Sequence, residues 1–79
     1  MFAMEEALVL VILSPSFEYD FIPKIQKIPG VQEVHLIYSA YDMFVTLKTE
    51  HMKDIRSAVL SLRDIPGIQS TLTCNVINE

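Results

Sequence analysis

The chain has 79 residues, 51 % of them apolar, and a formal net charge of −4, which describes one small domain near the lower limit at which a core suffices alone, so association should help it. Cys74 is the only cysteine; this excludes an internal disulfide and a cysteine-based zinc site and gives no sign of secretion. The six basic residues are scattered through an acidic chain, leaving no footprint for a phosphate backbone, so direct nucleic-acid binding is not expected.

The first element is the apolar run Ala7 to Leu13, a strand with Leu8, Leu10 and Ile12 on one side and Val9, Val11 and Leu13 on the other. It follows Glu5 and Glu6 instead of a basic segment and is far too short to cross a bilayer, so a soluble cytoplasmic protein without a membrane partner is expected. A helical pattern over Ser16 to Ile28 meets Pro23 in mid-course, where a proline costs about 3 kcal/mol. A cap at Asp20 avoids this by placing Pro23 third in the helix, where its missing N–H needs no partner, and leaves Ser14 to Tyr19 as a loop or loose first turn. A second strand is expected over Val31 to Tyr38, and Met43, Val45 and Leu47 alternate with Phe44, Thr46 and Lys48 as a third. Met52, Ile55, Ala58, Val59, Leu62 and Ile65 form the stripe of a second helix, with Thr49 as its cap and Glu50 favouring its dipole. A fourth strand runs from Ile68 to Ile77.

The stretch IPGVQ, residues 28 to 32, returns as IPGIQ at residues 65 to 69. The same shift lays Leu8 on Val45, Leu10 on Leu47, Ile22 on Val59 and Ile25 on Leu62. In each copy Ile closes the helix stripe, Pro cannot continue it, Gly supplies backbone freedom for the turn, and Val or Ile opens the next strand. Two strand-helix-strand units in series predict an α+β, ferredoxin-like βαββαβ two-layer sandwich with antiparallel sheet order 4-1-3-2 and both helices on one face. Right-handed crossovers leave a one-strand gap in each half that the other half fills. The other sheet face, to which Ile37 and Phe44 also contribute, would expose a large apolar patch, so a face-to-face dimer is its natural cover. Val11 and Phe44 are the positions at which a charge is expected to break that dimer.

Catalytic apparatus is not visible. His35 and His51 stand 16 residues apart without metal-site spacing, the serines lack a G-x-S-x-G setting, and both glycines serve as helix stops. Cys74 reads as a small core residue, and Met1, Met4, Met43 and Met52 as start residue and packing material. No metal or cofactor is expected. The polar equipment that remains is YSAYD at 38 to 42 and TLT at 71 to 73. It could hold a small zwitterion, with Asp42 taking an ammonium group and hydroxyls and backbone N–H groups a carboxylate. Equally, Tyr41 packs, Asp42 holds a turn and the threonines are ordinary strand formers.

LVILSP, then KIQKIPGVQEVHLIYSAYDMFVTLKT, then IRSAVLSLRDIPGIQSTLTCNVI together resemble the ligand-binding domain for regulation of amino-acid metabolism found in Lrp/AsnC transcriptional regulators. The resemblance covers roughly Ala7 to Ile77 and rests on I-P-G-V with V-H-L, on the Y-D opening the third strand, and on I-P-G-I with T-x-T. It implies a single effector-binding domain over residues 1–79 and a non-enzymatic role in modulating transcription or metabolism. Its effector would be an amino acid or related small molecule held between subunits by Tyr38, Ser39, Ala40, Tyr41, Asp42, Thr71 and Thr73. It also implies a homodimer that could build tetramers or octamers, and full-length regulators of the family as partners. The family usually has glycine where Ser39 stands, so Ser39 alters which ligand fits. Its regulators carry an N-terminal helix-turn-helix; here the first strand opens within six residues of Met1, so a stand-alone sensing domain without a DNA-binding domain is expected. Two other classes stay open: a small dimeric α+β-barrel enzyme using His35 or Cys74, and a purely structural assembly module.

Overall fold

The computed structural model describes residues 4–77; Met1 lies outside them. The elements run β1 (Glu5–Leu13), a 3-10 turn (Tyr19–Phe21), α1 (Ile22–Gln26), β2 (Val31–Leu36), β3 (Met43–Thr49), α2 (Met52–Arg63) and β4 (Ile68–Val76). All strand pairs are antiparallel and the sheet order is β2-β3-β1-β4, the expected order read from the other edge. β2 stops two residues earlier and β4 one residue earlier than the sequence pattern suggests, while β1 starts two earlier.

Side-chain alternation decides what each face of the sheet does. Ala7, Val9 and Val11 of β1 and Met43, Val45 and Leu47 of β3 are buried beneath the helices, where Ile25 and Ile28 of the first helical segment and Ile55, Ala58 and Leu62 of α2 close the core. Leu8, Leu10 and Ile12 point the other way and remain half-buried, as does Phe44. Register pairs Leu10 with Phe44 on one side and with Leu72 on the other, so these three make an apolar row across the uncovered face. Val11 was expected on that face; its pairing with Met43 puts it on the helix side, fully buried. Cys74, expected in the core, is exposed. It pairs with Leu8 on the outermost strand, with its side chain away from the helices.

Both helix starts differ from the sequence reading. α1 is capped by Phe21, not Asp20, and Pro23 falls in its first turn; Asp20 sits in the preceding 3-10 turn. The proline is tolerated as expected, but the regular helix shrinks to five residues. α2 is capped by His51, which makes no side-chain cap bond. Thr49 instead ends β3, is buried, and its hydroxyl donates to the His51 carbonyl at 2.8 Å, bracing the turn before the helix. The supposed loop between β1 and α1 also contributes to the core through Phe17, which meets Tyr19 and Phe21 edge-on.

The repeated Ile-Pro-Gly stretch forms the same turn twice. Val31 N–H donates to Ile28 C=O at 3.1 Å and Ile68 N–H to Ile65 C=O at 3.2 Å. Gly30 and Gly67 take φ of 96° and 92°, the positive value that the third position of a type II turn requires. Each glycine carbonyl then accepts from the opposite half, Gly30 from Lys48 N–H and Gly67 from Ser14 N–H, both at 2.8 Å. Each repeat's turn is thus tied to the strand that opens the other repeat, or to the residue just after it.

Candidate functional site

β1 outruns β3. Val11 pairs with Met43, the first residue of β3, so Leu13 has no β3 residue opposite it. The Asp42 carboxylate fills that gap: Leu13 N–H donates to its Oδ2 at 2.8 Å. Asp42 N–H donates to Val11 C=O at 2.9 Å, and Asp42 C=O accepts from Ile37 N–H at 3.0 Å. Three bonds therefore hold Asp42 at the mouth of the β2–β3 connection, its side chain still exposed.

Beside it lies an open cleft of about 320 Å³ lined by Leu13, Ser14, Pro15, Tyr19, Leu36, Ile37 and Asp42. It combines one carboxylate, the Ser14 and Tyr19 hydroxyls and aliphatic walls, a set that can accept from an ammonium group and cover an apolar side chain. Ser14 and Tyr19 escaped the sequence reading because they belong to the other half of the chain; only the antiparallel pairing of β1 with β3 brings their loop to Asp42. The turn signal Ser-Pro-Ser was legible, and in the structure Ser14 Oγ and Ser16 Oγ lie 2.7 Å apart.

The remaining predicted residues divide between two places. Tyr38, Ser39 and Ala40 are exposed along the loop and Tyr41 is half-buried. Ser39 Oγ accepts from Tyr41 N–H at 3.2 Å and donates to Tyr41 C=O at 3.3 Å, so the hydroxyl closes the loop on itself. No described residue other than glycine has positive φ, so Ser39 occupies ordinary backbone. Thr71 and Thr73 pair with Val11 and Val9 and therefore face the helix side. Thr71 Oγ1 accepts from Arg63 Nε at 3.1 Å, and Thr73 lines a separate groove along α2. One protomer does not bring the threonines and Asp42 into a single pocket.

His35 and Cys74 lie on β2 and β4, the two outer strands, separated by three strand spacings, about 14 Å, and further offset by two residues along the sheet, since His35 shares its row with Leu72. They form no dyad within a protomer. His35 Nε2 is 2.7 Å from Glu33 Oε1 and its ring lies near Phe44, with both polar side chains at least half exposed. No helix among the described residues is long and apolar enough to cross a membrane.

Comparison with known proteins places this geometry in a family. An uncharacterised HTH-type transcriptional regulator of Pyrococcus abyssi is 35 % identical over 51 residues, which are 63 % of this chain and 34 % of the relative. A similar regulator of Pyrococcus horikoshii matches over the same length. The chain thus matches about a third of these regulators' length. Among solved structures, FFRP-DM1 superposes with a TM-score of 0.81 at 28 % identity, covering 92 % of this chain and 99 % of that one. The hypothetical protein PHS023 of Pyrococcus horikoshii gives 0.81 at 29 %, covering 95 % and 92 %. A transcriptional regulator of Neisseria meningitidis in complex with L-Met shares the fold with a TM-score of 0.83 at 20 % identity, covering 95 % of this chain and 51 % of that one. The model of the Lrp/AsnC ligand binding domain matches residues 6–79, taking in all four strands, both repeated turns and the loop that carries Asp42, and the chain belongs to that family.

Proposed function

We propose that this domain binds an amino acid, or a small zwitterion like one, at the cleft beside the β2–β3 connection and passes the binding event to its assembly. Membership of a ligand-binding family of regulators supports a regulatory, effector-binding role over a catalytic one. The observation that carries the finer reading is the fixed Asp42: its backbone is held by two bonds and its carboxylate by a third, on the rim of a half-apolar cleft, so the carboxylate meets an ammonium group without first having to be ordered. The Neisseria relative, solved with L-Met, is a chemically apt precedent for the ligand class. Tyr38, Ser39, Ala40 and Tyr41 would close over the ligand from the loop, and Thr71 and Thr73 would belong to the contact supplied by a neighbouring subunit.

Assembly follows from the uncovered sheet face. The row Phe44, Leu10 and Leu72, with Leu8 and Ile12 beside it, favours a face-to-face homodimer. Tetramers or octamers built from such dimers would place binding clefts between dimers, and full-length regulators could join by the same surfaces. The extensive match to FFRP-DM1 and PHS023 supports a unit that folds by itself. Calorimetry of the protein against the twenty amino acids tests the proposal. Saturable binding of at least one, weakened in Asp42→Asn, is the expected result; silence toward all twenty would leave the assembly module as the better reading.

A further inference from the structure

The cleft beside Asp42 carries charge of one sign. Its lining holds a carboxylate and no lysine, arginine or histidine. An amino acid whose ammonium group meets Asp42 therefore finds only neutral groups for its own carboxylate, the Ser14 and Tyr19 hydroxyls among them. Neutral hydroxyls are weak compensation for a carboxylate that leaves water, and the more so in a chain of net charge −4. The missing cation has to come from outside the cleft.

Thr71 leads to one. It faces the helix side of β4, and Arg63, the last residue of α2, donates from Nε to its Oγ1 at 3.1 Å. That bond uses the inner nitrogen of the guanidinium and leaves the two terminal nitrogens to other acceptors. Among the described residues no carboxylate lies within ion-pair distance of Arg63, which lines one groove with Thr73. A contact between subunits that presents Thr71 and Thr73 to a ligand presents the Arg63 fork with them. Lys24, by contrast, lies over the Phe21 ring, and Lys48 alternates with the buried Leu47 and Thr49 and so points to the uncovered sheet face.

Resting on the reading of the cleft as an amino-acid site, we infer that Arg63 is the carboxylate anchor of that site and acts from a neighbouring subunit. Asp42 of one protomer takes the ammonium group, and Arg63 of the partner subunit, steadied on Thr71, takes the carboxylate from the other side. Arginine suits the task because its planar fork binds both carboxylate oxygens at once. The ligand then spans two chains, and neither chain holds a complete site. Binding and assembly strengthen each other for that reason, since a ligand that fits only the assembled state stabilises it by mass action.

The test is calorimetry with the tightest binder among the twenty amino acids and with its α-amide, which keeps the ammonium group and loses the carboxylate charge. The wild-type protein should prefer the acid by about tenfold or more. Arg63→Gln keeps an N–H for Thr71 without the charge; it should bind the acid about tenfold or more weaker and the amide as before, whereas a merely structural loss would weaken both alike. Circular dichroism should show this variant folded, since Arg63 is exposed. Co-expression of differently tagged Asp42→Asn and Arg63→Gln chains tests the sharing. Each alone binds poorly, but the mixed assembly should regain wild-type affinity in about one site in four, the pairing in which the two intact residues meet. Equal binding of acid and amide by the wild type, or an unchanged preference in Arg63→Gln, would overturn the anchor and leave the amino-acid site standing. Mixed assemblies with no regained site would overturn its placement in the partner subunit. Silence of the wild-type protein toward all twenty amino acids would remove the underlying site, and the anchor with it.

Discussion

Gly67 lies so close to Phe17 that a β-carbon on the glycine would stand 2.4 Å from Phe17 Cα and 2.9 Å from its backbone nitrogen. Backbone cannot swing aside as a side chain can, and Gly67 also holds a φ of 92°. Gly67→Ala should therefore destabilise the fold by about 2–4 kcal/mol, through strain and loss of the packed loop. At Gly30 the obstacle is a side-chain methyl, Thr49 Cγ2 at 2.7 Å, so Gly30→Ala should cost about 1 kcal/mol less. Urea unfolding of the two variants checks the order; equal midpoints would refute it.

Val11 and Phe44 separate folding from association. Val11→Asp buries a charge without a partner in the core and should unfold the domain, a loss of several kcal/mol. Phe44→Asp lies on the half-open face and should leave the monomer folded while weakening the homodimer. Circular dichroism with light scattering distinguishes these outcomes. A Phe44→Asp protein with the wild-type mass in solution would show that this face is not the interface.

Asp42 has both a structural and a proposed ligand role, and two substitutions divide them. Asp42→Asn keeps an oxygen for Leu13 N–H but loses the charge, so the fold should hold while amino-acid affinity falls by about 1.5–3 kcal/mol. Asp42→Ala also strands the Leu13 N–H and should lose a further 1–3 kcal/mol, roughly, of stability. Thr71→Val and Thr73→Val, each removing one neutral hydroxyl, should weaken binding less. Ser39→Gly should tighten binding or widen the ligand range, provided the loop tolerates losing the Ser39–Tyr41 bonds. Calorimetry and thermal melting on the same samples read both roles.

His35→Gln and Cys74→Ser sit at opposite outer strands and should leave folding and small-molecule binding nearly unchanged, within about 0.5 kcal/mol each. A turnover lost by orders of magnitude in either variant would instead reveal the barrel-type enzyme.

Periodicity carried the architecture. The stripes of α2, the alternation of β3 and the doubled Ile-Pro-Gly turn are local patterns, and local chemistry decides them: proline stops a helix and only glycine takes the positive φ that follows without strain. Which face of β1 meets the helices was not legible, because both faces are apolar; the register of Val11 against Met43 settled it. Thr49 looked like a cap by composition, but strand pairing drew it into β3 and left His51 at the helix start. The cleft was half legible for the same reason. Asp42 and its loop are contiguous in sequence, whereas Ser14 and Tyr19 reach them only through an antiparallel pairing about thirty residues apart, and contact across such a distance is a property of the assembled sheet, not of any segment of the chain.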